Sequence, residues 1–234
     1  MSLSDEQIHL FRHNGFLKLP DRLPAARVEE LKRTIQTGIV QKAEPVSRDS
    51  QGRVVRLSQI WDRGGVFAEA LSLPQVLDCL ECLLGPNIEL VLNRHNHATL
   101  RLAGEGADYF HRDVLQWTRT IVTVIFYLEE STMDNGCTLV VPGSQMLPGI
   151  RANELSSDER VLGSRVLDQA VPVPMPAGGL LVIDSMLMHS AGRNLPSGSR
   201  MSMTAGYHSV DELSGPNSKR VLLRGERIYG GNDR

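Results

Sequence analysis

The chain has 234 residues, 41% of them hydrophobic and 22% charged, with a formal net charge of −2. This length supports one large domain with a sizeable core, and the composition excludes a disordered chain. No basic run stands out that could collect phosphates, so nucleic acid is not an expected partner.

The first helix is punctuated clearly. Ser4 can cap it, Gln7 completes the capping box, Leu3 and Ile8 supply the staple, and Asn14-Gly15 ends it. A short strand, FLKLP, follows. From Pro24 to about Gly38, Val28, Leu31 and Ile35 recur at helical spacing and predict a second amphipathic helix. Residues 41–59 are polar and aperiodic and read as a long loop. In SLPQVLDCLECLLG, Ser72 and Gln75 form another capping box, Val76, Leu80 and Leu83 make the buried stripe, and Gly85-Pro86 terminates the helix. Cys79 and Cys82 lie within this helix. With no second pair to complete four ligands, they read as small buried side chains rather than a redox or zinc motif.

After residue 87 the character changes to strands: IELVLNRHNHATLRL, RTIVTVIFYLEE, CTLVVPGS, AVPVPM, GLLVIDSMLMHS and SRMSMTAGYHSV, separated by turn-rich pieces. Strands without alternating helices predict an antiparallel sandwich or barrel. The expected fold class is α+β, mainly β, as one domain over 1–234: a mostly helical flank at 1–86, a strand core at 87–211 and a tail at 212–234. The longest apolar run, IVTVIFYL, is too short for a bilayer span, and the N-terminus lacks the basic-then-apolar layout of a signal peptide. Three cysteines are too few for a disulfide framework. The expectation is a cytoplasmic protein with no membrane partner.

YFHRDVLQW sets His111 and Asp113 two residues apart, so on a strand they project from one face. Alone, the pair better suits a strand end satisfying a turn. In SMLMHSAGRNLPSGSRMSM, however, His189 ends one apolar strand and Arg200 begins the next. If the NLPSG turn closes a hairpin, His189 and Arg200 face one another about 5 Å apart at Cβ, with Ser202 on the same face as Arg200. A core-facing arginine needs an anion. Two imidazoles and one carboxylate are the set that holds non-haem Fe(II) with positions left open. A 2-oxo acid and dioxygen can fill these, and the bidentate fork of Arg200 suits the far carboxylate of 2-oxoglutarate. An alanine or glycine at position 113 would leave room for a halide, so Asp113 points to oxygenation.

With these motifs in place, the sequence resembles the phytanoyl-CoA dioxygenase family of Fe(II)/2-oxoglutarate oxygenases. The resemblance rests on the opening helix with GFLKLP, on FHRD, DNGCTLVVPGS and HSAGRN, and on an arginine eleven residues after the distal histidine. It implies a double-stranded β-helix (jelly roll), iron on His111, Asp113 and His189, and 2-oxoglutarate on Arg200. A polar cosubstrate contact is implied on the strand before the iron motif, at Thr99 or its rival His97, and Ser202 lies near it. Two positions depart from the family pattern. Gln145 replaces the histidine of PGSH, at the expected pocket rim, and Ala191 replaces a serine near the cosubstrate.

Asn93, His95, His97 and Thr99 alternate along one predicted strand and suit either a surface edge or a polar pocket wall. The expected substrate wall comprises His95, His97, Arg112, Gln116 and Trp117, which fits a polar or glycosidic small molecule. Trp117 equally suits the core. Tyr207 and His208 read as structural, and His9 and His13 as surface residues. Relatives in bacterial specialised metabolism, antibiotic biosynthesis included, hydroxylate, desaturate, epimerise or close rings. A zinc-dependent hydrolase or isomerase on the same ligands and a non-catalytic jelly-roll binding module remain as alternatives. Arg200 and Ser202, placed for a dicarboxylate, weigh against the hydrolase.

Overall fold

The computed structural model describes residues 2–104, 108–114, 117–118, 120–147, 159–195, 199–213, 215 and 217–228. Helix α1 (Asp5–Asn14) carries the full capping box on Ser4 and Gln7 and ends on Gly15 at φ 81°. Its last carbonyls, those of Arg12 and His13, accept from the Gln145 side chain. Gln145 therefore docks the helix end instead of bordering the cavity described below. Strand β1 (Phe16–Lys18) and helix α2 (Ala25–Val40) follow, and Val28, Leu31 and Ile35 are buried as the periodicity predicts.

The stretch 41–59 is not a loop. It contains β2 (Val46–Arg48) and β3 (Val54–Ser58), an antiparallel hairpin whose ends are tied by Arg63 to the carbonyls of Ser58, Ala43 and Pro45. Only Val54 and Leu57 in β3 are buried, too short an apolar pattern to stand out against the polar residues. Helix α3 (Gly65–Leu71) was also not anticipated. Ser72, read as the cap of the next helix, instead donates its hydroxyl to the carbonyl of Ala68 at the end of α3. Helix α4 (Pro74–Leu84) starts on its proline without a side-chain cap and ends on Gly85. Cys79 is buried in it, and burial pushes its thiol up to about 11, so no thiolate is on offer.

The segment read as one strand from residue 88 is two, β4 (Ile88–Val91) and β5 (Asn96–Arg101), interrupted where His95 takes φ 48°. Strands β6 (Ile121–Tyr127) and β7 (Thr138–Val140), helix α5 (Glu159–Ser164), and strands β8 (Val171–Val173), β9 (Leu180–Asp184), β10 (His189–Ala191) and β11 (Arg200–Ser209) follow. The stretch expected to be a tail contains β12 (Arg220–Arg224), which pairs with β4. Among the described residues two antiparallel sheets form. The larger runs β1-β9-β6-β11-β5-β3-β2, with β4 beside the end of β11 and β12 beyond it, and the smaller runs β10-β7-β8. This is the mainly β jelly roll with helices flanking one side.

The expected β10–β11 hairpin does not form. His189 pairs with Val140 in the small sheet, while Arg200 pairs with Arg101 in the large one. The chain crosses between sheets after Ala191, so two strands adjacent in sequence face each other across the sandwich.

Alternation along the large sheet assigns its two faces. Val122, Val124 and Phe126 of β6 and Met201, Met203, Ala205 and Tyr207 of β11 join Leu31, Ile35, Phe67 and Leu80 of the helices in one core. The Tyr207 hydroxyl donates to the carbonyl of Leu71. The opposite face carries Tyr127, Leu181 and Ile183, which pack with Val140, Val173, Met175 and Leu187 in a second core. Phe126 is fully buried between sheet and helices. Phe126→Ala is expected to lower stability by about 3–5 kcal/mol, read from urea unfolding. A loss no larger than that of a surface substitution would mean the helical layer is not packed as described.

Candidate metal centre

His111 lies outside any named strand but forms an antiparallel bridge to His189 on β10, each N–H donating to the other's carbonyl at 3.0 Å. The bridge brings the two rings to 4.4 Å between centroids, tilted 50° to one another. Nδ1 of His111 meets the Tyr109 carbonyl at 3.1 Å, and Nδ1 of His189 meets the Leu187 carbonyl at 3.0 Å. A carbonyl only accepts, so each Nδ1 carries the proton and each Nε2 presents a lone pair to the cavity. Burial lowers the His189 pKa, which keeps that ring neutral.

Asp113 is held by its backbone, its N–H donating to the Ser185 carbonyl and its own carbonyl accepting from Arg94, both at 2.8 Å. Oδ2 accepts from the Thr123 hydroxyl at 2.6 Å. Oδ1 is buried and among the described residues has no hydrogen-bond partner, 3.7 Å from Nε2 of both His111 and His189. Burial alone would raise this carboxyl. Its surroundings, the Thr123 hydroxyl among them, outweigh that and hold the pKa at about 2. One carboxylate oxygen and two imidazole nitrogens thus converge, all within 4.8 Å of one another, with nothing but acceptors facing inward. A cation is what such a donor set lacks, and the N₂O composition suits ferrous iron.

The triad opens on a cavity of about 170 Å³ between the sheets. From the large sheet come Arg200, Ser202 and Thr204 of β11, His97, Thr99 and Arg101 of β5, Thr123 and Ile125 of β6, and Arg56 of β3. The small sheet contributes Thr138, Ser190 and Ala191. Arg200 is 4% exposed. One of its terminal nitrogens donates to the Ser131 hydroxyl at 2.8 Å, its guanidinium carbon lies 6.0 Å from the Tyr127 ring centre, and its Nε has no hydrogen-bond partner. Thr99 sits directly opposite Ser202.

The structure brings His111, Asp113, His189, Arg200, Thr99, Ser202, His95 and His97 to this one cavity. His95 does so from the interruption between strands, 3.3 Å from Asp113 Oδ1, while Asn93 turns away to the carbonyl of Asn217. Arg112 does not line it. Between two inward side chains it points the other way, donating to the Ser144 and Leu147 carbonyls. Trp117 is 51% exposed and is neither core nor cavity wall. Gln116 lies outside the described residues. Sequence reasoning missed Arg56, whose strand was read as loop and whose guanidinium meets Nε2 of His97 at 2.8 Å. It also missed Arg101, two residues beyond Thr99, which the same-face rule would have found. Arg101 bonds Asp108 at 2.6 Å.

A convergent two-histidine, one-carboxylate set inside a jelly roll with a buried arginine defines the class of non-haem iron oxygenases. The family model for phytanoyl-CoA dioxygenase (PhyH) matches residues 11–202, and the chain belongs to that family of Fe(II)- and 2-oxoglutarate-dependent dioxygenases. Iron is the cofactor, with 2-oxoglutarate and dioxygen as cosubstrates. The chain is 28% identical to Dioxygenase af480 of Aspergillus fumigatus, over 91% of this chain and 69% of that protein. Its fold matches EctD from S. alaskensis, solved with 2-oxoglutarate and 5-hydroxyectoine, at a TM-score of 0.75 and 21% identity, covering 89% of this chain and 77% of EctD. It matches equally well, at 0.75 and 18% identity, the carbocyclase SnoK from nogalamycin biosynthesis, over 89% of this chain and 85% of SnoK. Among the described residues no helix is long and apolar enough to cross a membrane.

Proposed function

We propose that this dioxygenase oxidises a C–H bond of a small, polar or glycosidic specialised metabolite, by hydroxylation or oxidative ring closure, in the cytoplasm. The observation that carries the site assignment is the orphaned Asp113 Oδ1 facing the lone pairs of two imidazoles whose protons are committed elsewhere. In this reading His111, Asp113 and His189 hold the iron. When bound with its cosubstrates, the iron supplies oxidation of the substrate coupled to conversion of 2-oxoglutarate to succinate and CO₂.

The remaining residues position and exclude. Arg200 offers its buried guanidinium to the far carboxylate of 2-oxoglutarate, a charge-assisted contact strengthened by the dry surroundings. Thr99 and Ser202, paired across β5 and β11, offer hydroxyls along the diacid. Ala191 offers none, so the family's serine contact is absent here. His97 is neutral, its pKa taken down to about 3 by burial and by the nearby Arg56 and His95; its Nε2 accepts from Arg56, which leaves Nδ1–H as the ring's donor. Hydroxyls, imidazoles and guanidinium line the walls, which favours a hydroxylated molecule over an acyl chain. SnoK, a carbocyclase from an antibiotic pathway, lends support to specialised metabolism as the setting.

Anaerobic titration of the protein with Fe(II) and 2-oxoglutarate is expected to give a visible charge-transfer band that bleaches on admitting O₂. A colourless titration, or the same affinity for Zn(II) with no effect of 2-oxoglutarate, would sink the assignment. Substrate-dependent succinate release across saccharides, aminoglycosides and acyl chains then tests the substrate class.

A further inference from the structure

We infer that His95 is a positioning residue for the metal-binding carboxylate, holding Asp113 so that a single oxygen faces the ion. This rests on the iron assignment above but concerns a residue outside the ligand set. Three imidazole nitrogens surround Asp113 Oδ1: Nε2 of His95 at 3.3 Å, and those of His111 and His189 at 3.7 Å. The last two bear lone pairs, because their Nδ1 protons go to the carbonyls of Tyr109 and Leu187. They repel Oδ1 unless a cation lies between. Thr123 is committed to Oδ2. Among the described residues the His95 ring, unlike the other two, meets no carbonyl that would fix its tautomer, so it can bring a proton to Oδ1.

The backbone points the same way. His95 takes the left-handed φ of 48°, an uncommon conformation for a non-glycine residue. What imposes it is β11. Gly206 N–H donates to the His95 carbonyl at 2.9 Å, and a side chain at Gly206 would bring its Cβ within 3.4 Å of the His95 Cβ. The preceding residue, Arg94, donates to the carbonyl of Asp113. Two consecutive residues in the break between β4 and β5 therefore address Asp113 at both ends, one at its main chain and one at its carboxylate. With Oδ2 tied to Thr123 and Nε2 of His95 3.3 Å from Oδ1, the carboxylate is steered to present one oxygen to the metal. Outer contacts of this kind tune ligand orientation and affinity.

Calorimetric titration of the metal-free full chain with Fe(II), and in parallel with Co(II), under anaerobic conditions tests this without recourse to turnover. His95→Ala is expected to weaken binding by about 10- to 100-fold, and His95→Gln, whose amide N–H can reach the same oxygen, to recover most of it. His95→Phe, which keeps the ring volume without the donor, should behave like alanine and serves if the alanine variant fails to fold. Equal affinity of the Phe, Gln and wild-type proteins would overturn the proposal. A rise in substrate KM at unchanged metal affinity would do the same and make His95 a substrate contact. Asp113→Ala is the control on the underlying assignment: if it too binds metal like wild type, the iron site itself is misplaced, a failure separate from that of His95.

Discussion

Asp113→Ala is expected to abolish the Fe(II)/2-oxoglutarate absorption band and with it substrate-dependent succinate release. Asp113 supplies the one anion among the three converging donors, so the loss of metal affinity should exceed the roughly 10- to 100-fold associated with outer-shell partners. The same substitution should not destabilise the metal-free protein in proportion. Without an ion, Oδ1 accepts no hydrogen bond among the described residues, so the substitution forfeits little beyond the Thr123 bond at Oδ2 and the contact with His95. Asp113→Asn, close in shape, should therefore melt near the wild-type temperature while binding iron poorly. A variant that keeps both the band and turnover removes this residue from the centre. One that unfolds outright would show that Asp113 serves the fold first.

Arg200→Ala is expected to raise the KM for 2-oxoglutarate by about 10- to 100-fold, the equivalent of losing a hydrogen-bonded charge contact worth roughly 1.5–3 kcal/mol. The effect on kcat at saturating cosubstrate should be smaller, because the guanidinium belongs to the opposite sheet from His189 and does not touch the triad. Arg200→Lys should recover little. An ammonium can replace the charge but not the planar fork that leaves Nε open while another nitrogen holds Ser131. The measurement is succinate release against 2-oxoglutarate concentration. An unchanged KM would send the search for the diacid anchor to Arg101 or Arg56, which line the same cavity.

The elements with strong local signals were legible in the sequence. The Ser4–Gln7 box, the stripe of Val28, Leu31 and Ile35, and the alternation of β6 and β11 recur in the structure where local chemistry places them. The polar set was legible as well: His111, Asp113, His189, Arg200, Thr99 and Ser202 meet at one cavity. What failed was pairing. The hairpin drawn between His189 and Arg200 had a suitable turn and the right faces, yet the partner of each strand is chosen by packing across the whole sandwich, which turn residues do not encode. The hairpin of β2 and β3 was missed because its outward side chains are polar, and with it went Arg56. Arg112 was misjudged for the opposite reason, since neighbours in sequence share a cavity only if they share a face.

His189 hangs from one sheet and Arg200 from the other, so on the proposed assignment the distance between that ligand and the diacid anchor depends on how the two sheets pack. Val140, Val173, Met175, Leu181 and Leu187 pack in the core that joins the layers, and none of them lines the cavity. Slimming or fattening that apolar wedge would retune which chain length of oxo-diacid spans the gap, with every reactive group left in place.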